Sequence, residues 1–146
     1  MTTTYIAPLQ PTAAHAQASN RQTAYAIVTL TAAPALNDVL DFGYMVPPNA
    51  RVHSAVLKAS DMDTSTGILI DIGDAASGTR YFSSSTAGQA GTVDTGLQAA
   101  GRFYKTPGAK TKILGLIHTA PSGTGSAGTV ELSIDYVVED VTTSGT

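Results

Sequence analysis

The sequence predicts an all-β chain, a β-sandwich of jelly-roll type with about eight antiparallel strands and an extended N-terminal arm. Three observations carry this. Short stretches of apolar/polar alternation recur along the chain, Gly, Pro and Ser punctuate them, and no amphipathic helix of ten residues occurs. The clearest alternation runs over 129–138. Val130, Leu132, Ile134, Tyr136 and Val138 face one way there, and Thr129, Glu131, Ser133, Asp135 and Val137 the other, which is a strand with one buried face.

The elements follow in chain order. Residues 1–21 are rich in Thr, Ala, Gln and Pro, with Tyr5, Ile6 and Leu9 as the large apolar groups and Pro8 and Pro11 as breakers, so they read as an extended arm. The sandwich domain is expected over 22–141 and a polar tail over 142–146. Within the domain, 23–31 alternates Ala24, Ala26, Val28 and Leu30 against Thr23, Tyr25, Ile27 and Thr29, and Pro34 ends it. A second strand covers 39–45, and Pro47, Pro48 and Asn49 turn the chain into a third over 51–59, with Val52 and Val56 opposed to Ala55 and Leu57. Ile68, Ile70 and Ile72 mark a fourth with Asp71 outward, and 80–82 is a short fifth. One helical turn is expected near 86–90 in an otherwise irregular stretch. Strands over 102–105, 112–118 and 129–138 complete the set.

Composition bounds the chemistry. A chain of 146 residues makes one domain and can hold a core without staples. Only 13% of residues are charged, about half the usual share of roughly 25%. Ala, Thr, Gly and Ser make up nearly half of the chain and give a weakly hydrated, smooth coat that packs against other copies at little desolvation cost. The formal net charge is −3, and the eight Lys and Arg are scattered singly, so no basic stripe awaits phosphates and nucleic acid is not an expected partner. The absence of Cys rules out disulfides and thiolate zinc sites. No stretch approaches 18 apolar residues and the first twenty show no signal-peptide pattern, so no membrane association and no export by a recognisable signal are expected.

Each constellation that could carry chemistry falls short. Gly123, Gly125 and Gly128 have dinucleotide-fingerprint spacing, but they lead into a strand rather than a helix. Asp61, Asp63 and Ser65 have the oxygen spacing of a calcium loop, yet Thr66 and Ile72 stand where an EF-hand needs Gly and Glu. An irregular calcium site using Asp61, Asp63 and Asp74 stays open beside the turn-forming role of Asx residues. His15, His53 and His118 have no metal-site spacing, and no G-x-S-x-G elbow accompanies them. Paired carboxylates from Glu131, Glu139 and the Asp set lack the aromatic platforms a sugar needs, with no Trp present, although Tyr44, Tyr81 and Tyr104 could form a small one. Residue chemistry thus gives an inert all-β domain: not an enzyme, with no cofactor, no small-molecule substrate and no metal site assigned beyond the open calcium reading.

A resemblance adds to this. Ala35-Leu36-Asn37-Asp38-Val39-Leu40, then Asn49-Ala50-Arg51-Val52 after the proline turn, lead into Ser60-Asp61-Met62-Asp63-Thr64-Ser65-Thr66 and Ile70-Asp71-Ile72-Gly73-Asp74. Arg80-Tyr81-Phe82, Gly88-Gln89-Ala90-Gly91 and the closing strand around Tyr136 follow. Over 31–138 the chain resembles small virion proteins of tailed bacteriophages, the capsid decoration or cement type. The resemblance implies a jelly roll that assembles, often as a homotrimer, on the outer surface of a capsid and bridges neighbouring major capsid subunits. Residues 2–20 fall outside it. Physics alone gives them a reach of up to about 65 Å and makes Tyr5, Ile6, Pro8, Leu9 and Pro11 the expected partner-binding residues. The rival expectation is a tail- or fibre-associated sandwich that recognises host glycans.

Overall fold

The computed structural model describes residues 2–8 and 21–139. Nine strands and one helical turn appear among them. They are β1 (Thr4–Ile6), β2 (Arg21–Leu30), β3 (Val39–Gly43), β4 (Ala50–Ala59), β5 (Leu69–Gly73), β6 (Phe82–Ser85), α1 (Ala87–Ala90), β7 (Val93–Asp94), β8 (Ile113–Thr119) and β9 (Gly128–Val138). One sheet has the order β2-β9-β4-β7, and the other has β3-β8-β5-β6 with β1 added at its β3 edge. Apart from β1 these are eight antiparallel strands divided four and four between two sheets, which is the jelly-roll arrangement the sequence predicts.

The core lies between the sheets and draws on both. Val28, Leu57, Leu132, Ile134 and Tyr136 come from one, and Leu40, Phe42, Ile70, Ile72, Phe82 and Ile117 from the other, in one continuous cluster. In β9, Val130, Leu132, Ile134 and Tyr136 are buried as the alternation requires. The other face of β9 carries side chains that bond across strands: Tyr25 Oη donates to Glu131 at 2.6 Å, and Thr23 and Ser54 both donate to Asp135.

Several expectations are corrected. The first is at the start of the chain, where residues placed in the arm form β1. Thr3 N–H donates to Asp38 Oδ1 at 2.8 Å, Val39 N–H to Thr3 O and Ala7 N–H to Asp41 O, so β1 lies parallel to β3 and Tyr5 is 9% exposed in the core. Arg21 opens β2. The second is in β4, whose register shifts between Val52 and Ser54. This bulge absorbs one residue, so Val52, Ala55, Leu57 and Ala59 all turn inward and Val56 is exposed. The third is the short fifth strand, which runs over Phe82–Ser85, with Tyr81 buried just before it and donating its N–H to Ile72 O. The last is 102–105, which is no strand. It runs beside the start of β4, with Phe103 N–H donating to Val52 O and Val52 N–H to Tyr104 O. Phe103 at φ 60° turns the ladder aside, leaving a single antiparallel bridge between Arg51 and Lys105.

Candidate functional site

At the β1 edge, the first residues of the chain and the segment after β3 enclose a groove of about 430 Å³ lined by Ile6, Ala7, Pro8, Tyr44, Lys110 and Lys112 among others. Two of the expected partner-binding residues, Ile6 and Pro8, lie here, with Ile6 69% exposed. Tyr5 is turned into the core, and Leu9 and Pro11 lie outside the described residues. Tyr44 is 57% exposed, and its ring stands 6.0 Å from the Lys110 ammonium and 5.7 Å from that of Lys112. Lys112 Nζ also donates to Asp41 Oδ2 at 2.9 Å, a bond that raises its pKa.

Lys110 and Lys112 end a loop that begins at Gly101 and crosses to the other sheet. It is stitched to the 47–52 segment: Asn49 N–H donates to Pro107 O, Ala50 N–H to Thr106 Oγ1, Thr106 Oγ1 to Pro47 O and Thr106 N–H to Ala50 O. Phe103 protrudes from it, 56% exposed, its ring edge-on to His53 at 5.7 Å. Arg51 Nη1 donates to Phe103 O, while Arg51 and Lys105 share Glu139, at 2.5 and 3.7 Å. The hydrogen bond from Arg51 holds the Glu139 carboxyl below its ordinary pKa. Sequence reading considered Tyr44 only for a sugar platform and passed over Phe103 and these lysines as site residues. The signal was present: four of the eight Lys and Arg fall within 102–112, and no acidic residue occurs over 95–130.

The other residues singled out in the sequence have structural employment. Asp63 is buried and accepts five backbone N–H bonds. Those of Ser65 and Gly123 reach Oδ1, and those of Gly67, Ile68 and Ser122 reach Oδ2, at 2.8 to 3.1 Å. Burial alone raises its pKa, and the N–H donors more than reverse this, holding it far below the usual carboxylate range. Asp74 takes Ala76 and Ser77 N–H and pairs with Arg80 at 2.7 Å, so it does not converge with Asp63. Among the described residues no group of three or more His, Asp or Glu is placed to hold a metal. Gly123 donates to Asp63, and Gly128 opens β9 where a Cβ would lie 2.2 Å from Ser60 Oγ, so these glycines serve close packing. The tyrosine platform does not form. Tyr81 is fully buried, Tyr104 lies under the Arg80 guanidinium at 3.8 Å, and Tyr44 borders the groove. His118 bonds Asp71 through Nδ1 at 2.8 Å, and His15 lies outside the described residues.

Comparison with family models and with curated proteins finds no match. Solved structures do match. A chain of the capsid asymmetric unit of cyanophage Pam1 is 27% identical with a TM-score of 0.70, over 90% of this chain and 94% of that one. A chain of the capsid of Ralstonia phage GP4 is 26% identical with a TM-score of 0.73, over 91% and 92% respectively. The chain resembles phage capsid components. The likeness covers at least nine-tenths of each chain, so it concerns most of the molecule rather than one motif.

Proposed function

We propose that this chain is a non-enzymatic decoration protein of a bacteriophage capsid, which sits as a homotrimer on the outer surface and bridges neighbouring major capsid subunits. The likeness to two phage capsid chains along nearly the full length of all three proteins carries the reading and supports a structural role in the virion. The physical character of the surface agrees. Among the described residues its acids are engaged by backbone amides, hydroxyls or cations, and large apolar groups such as Ile6, Tyr44 and Phe103 are exposed. About 800 Å² per partner suffices for specific docking, and repetition over a symmetric shell multiplies the effect. Breaking the lattice would then also expose the surface buried beneath each copy.

Electron microscopy of intact particles tests this. Density for the jelly roll is expected outside the shell, in threes, over boundaries between capsid subunits. Density in the tail, or inside the shell, would refute it. Particles made without the protein should release their DNA at a temperature several degrees lower and recover when purified protein is added back.

A further inference from the structure

We propose that the 101–112 loop is the docking surface for a carboxylate-rich protein surface with an apolar recess, which on the reading above belongs to the shell. The inference rests on that reading for the partner's identity, though not for its chemistry. Three independent observations converge on the loop. The first is charge. In a chain of net charge −3, the loop carries Arg102, Lys105, Lys110 and Lys112 and no acid, and Arg51 packs on it. Glu139 and Asp41 offset part of this, but among the described residues Arg102 and Lys110 have no carboxylate partner. An acidic counterpart would complete these pairs and steer the approach.

The second observation is strain. A bulky residue at positive φ is a rare and costly conformation, and Phe103 holds φ 60° with its ring more than half exposed. Burial in its own core is no reason for it. The backbone is held by Phe103 N–H to Val52 O and by Arg51 to Phe103 O, so the ring projects from a fixed base. A rigid aromatic knob amid cations has the character of an interface anchor. The third is shape. At its far end the loop walls the 430 Å³ groove, where Tyr44 and Ile6 are exposed beside Lys110 and Lys112, ready to receive an apolar side chain next to a carboxylate. The bonds to the 47–52 segment preorganise the whole surface.

The experiment measures binding of the full chain, of R102E/K110E and of Phe103→Gly to three probes. These are shells of the same phage stripped of this protein, a glutamate-rich peptide containing Leu and Phe, and a short double-stranded DNA. Glycine adopts φ 60° freely, so Phe103→Gly should melt within about 3 °C of the parent or above it. The parent should bind shells and peptide more weakly as NaCl rises from about 50 to 500 mM. Charge reversal should weaken both by about tenfold or more, mainly in association rate, and Phe103→Gly by about tenfold in dissociation rate. Variants that bind within about twofold of the parent would overturn the proposal, as would DNA bound more tightly than the peptide. Peptide binding lost in the variants, with no binding of the parent to shells, would uphold the docking surface and refute the capsid reading instead.

Discussion

Asp63 shows what single residues do in a fold so poor in charge. Its two oxygens gather five N–H groups from two loops, with Ser122 and Gly123 some sixty positions from it in sequence. The Asp61, Asp63, Ser65 spacing therefore marks a carboxylate at a turn, and the local half of its role was readable as an Asx turn. The distant half was not, because nothing in the spacing says which remote amides need an acceptor. In Asp63→Asn an amide nitrogen would face donors in place of one oxygen, so the melting temperature should fall by about 5 °C or more in calorimetry. The native carboxylate also sets an acid limit. The unfolded chain takes up this proton near pH 3.9, whereas the folded chain resists it to lower pH, so the unfolded state binds more protons in between and stability declines as pH falls from about 4. Urea titrations of the parent at pH 6 and at about pH 3 should show that decline, and in Asp63→Asn it should be shallower. Equal slopes would mean other carboxylates govern acid unfolding.

Among the elements, β9 and β2 were legible because alternation over ten or more residues leaves one register that buries the apolar set. The start of β4 was not, since a bulge at His53 breaks the period and no side chain announces it. β1 was missed for another reason. Three residues among Thr and Pro have too little pattern to read, and their placement depends on Asp38, whose Oδ1 accepts Thr3 N–H. Here the structure changes the expected behaviour of the arm. With Tyr5 in the core, β1 belongs to the sandwich. Tyr5→Ala should destabilise the isolated protein by about 3 kcal/mol in denaturant titration, as large-to-small core changes do. Ile6→Ala, at an exposed edge, should change it by less than about 0.5 kcal/mol. Similar effects of the two would show that β1 is not part of the folding unit.

For the whole molecule, alternation and punctuation sufficed to specify two layers of short strands, while the jelly-roll order is set by distant pairings such as β2 with β9. What sequence could not convey is which distant charge joins the cluster at 102–112. Arg51 reaches it because the 101–112 loop packs on the start of β4. The outer faces differ in degree: on the β3-β8-β5 side exposed Ile6 and half-buried Leu114 and Leu116 stand among Asp41, Asp71 and His118, whereas hydroxyls and hydrogen-bonded acids cover the β2-β9-β4 side. In β8, Leu114 and Leu116 put apolar surface on the outer face while Ile113 and Ile117 enter the core, part of the pattern of a strand covered on both sides, and that outer face is only half covered in the single chain. Self-association is therefore expected of the free protein before any shell is present. Light scattering at micromolar concentration should give about 45 kDa, three copies of the 14.9 kDa chain, and the mass should persist in high salt because apolar contacts are not screened. A mass near 15 kDa would mean that copies meet only on the particle. Loss of the trimer in high salt would instead assign its contacts to charges, and with them to the same cationic loop that is expected to face the shell.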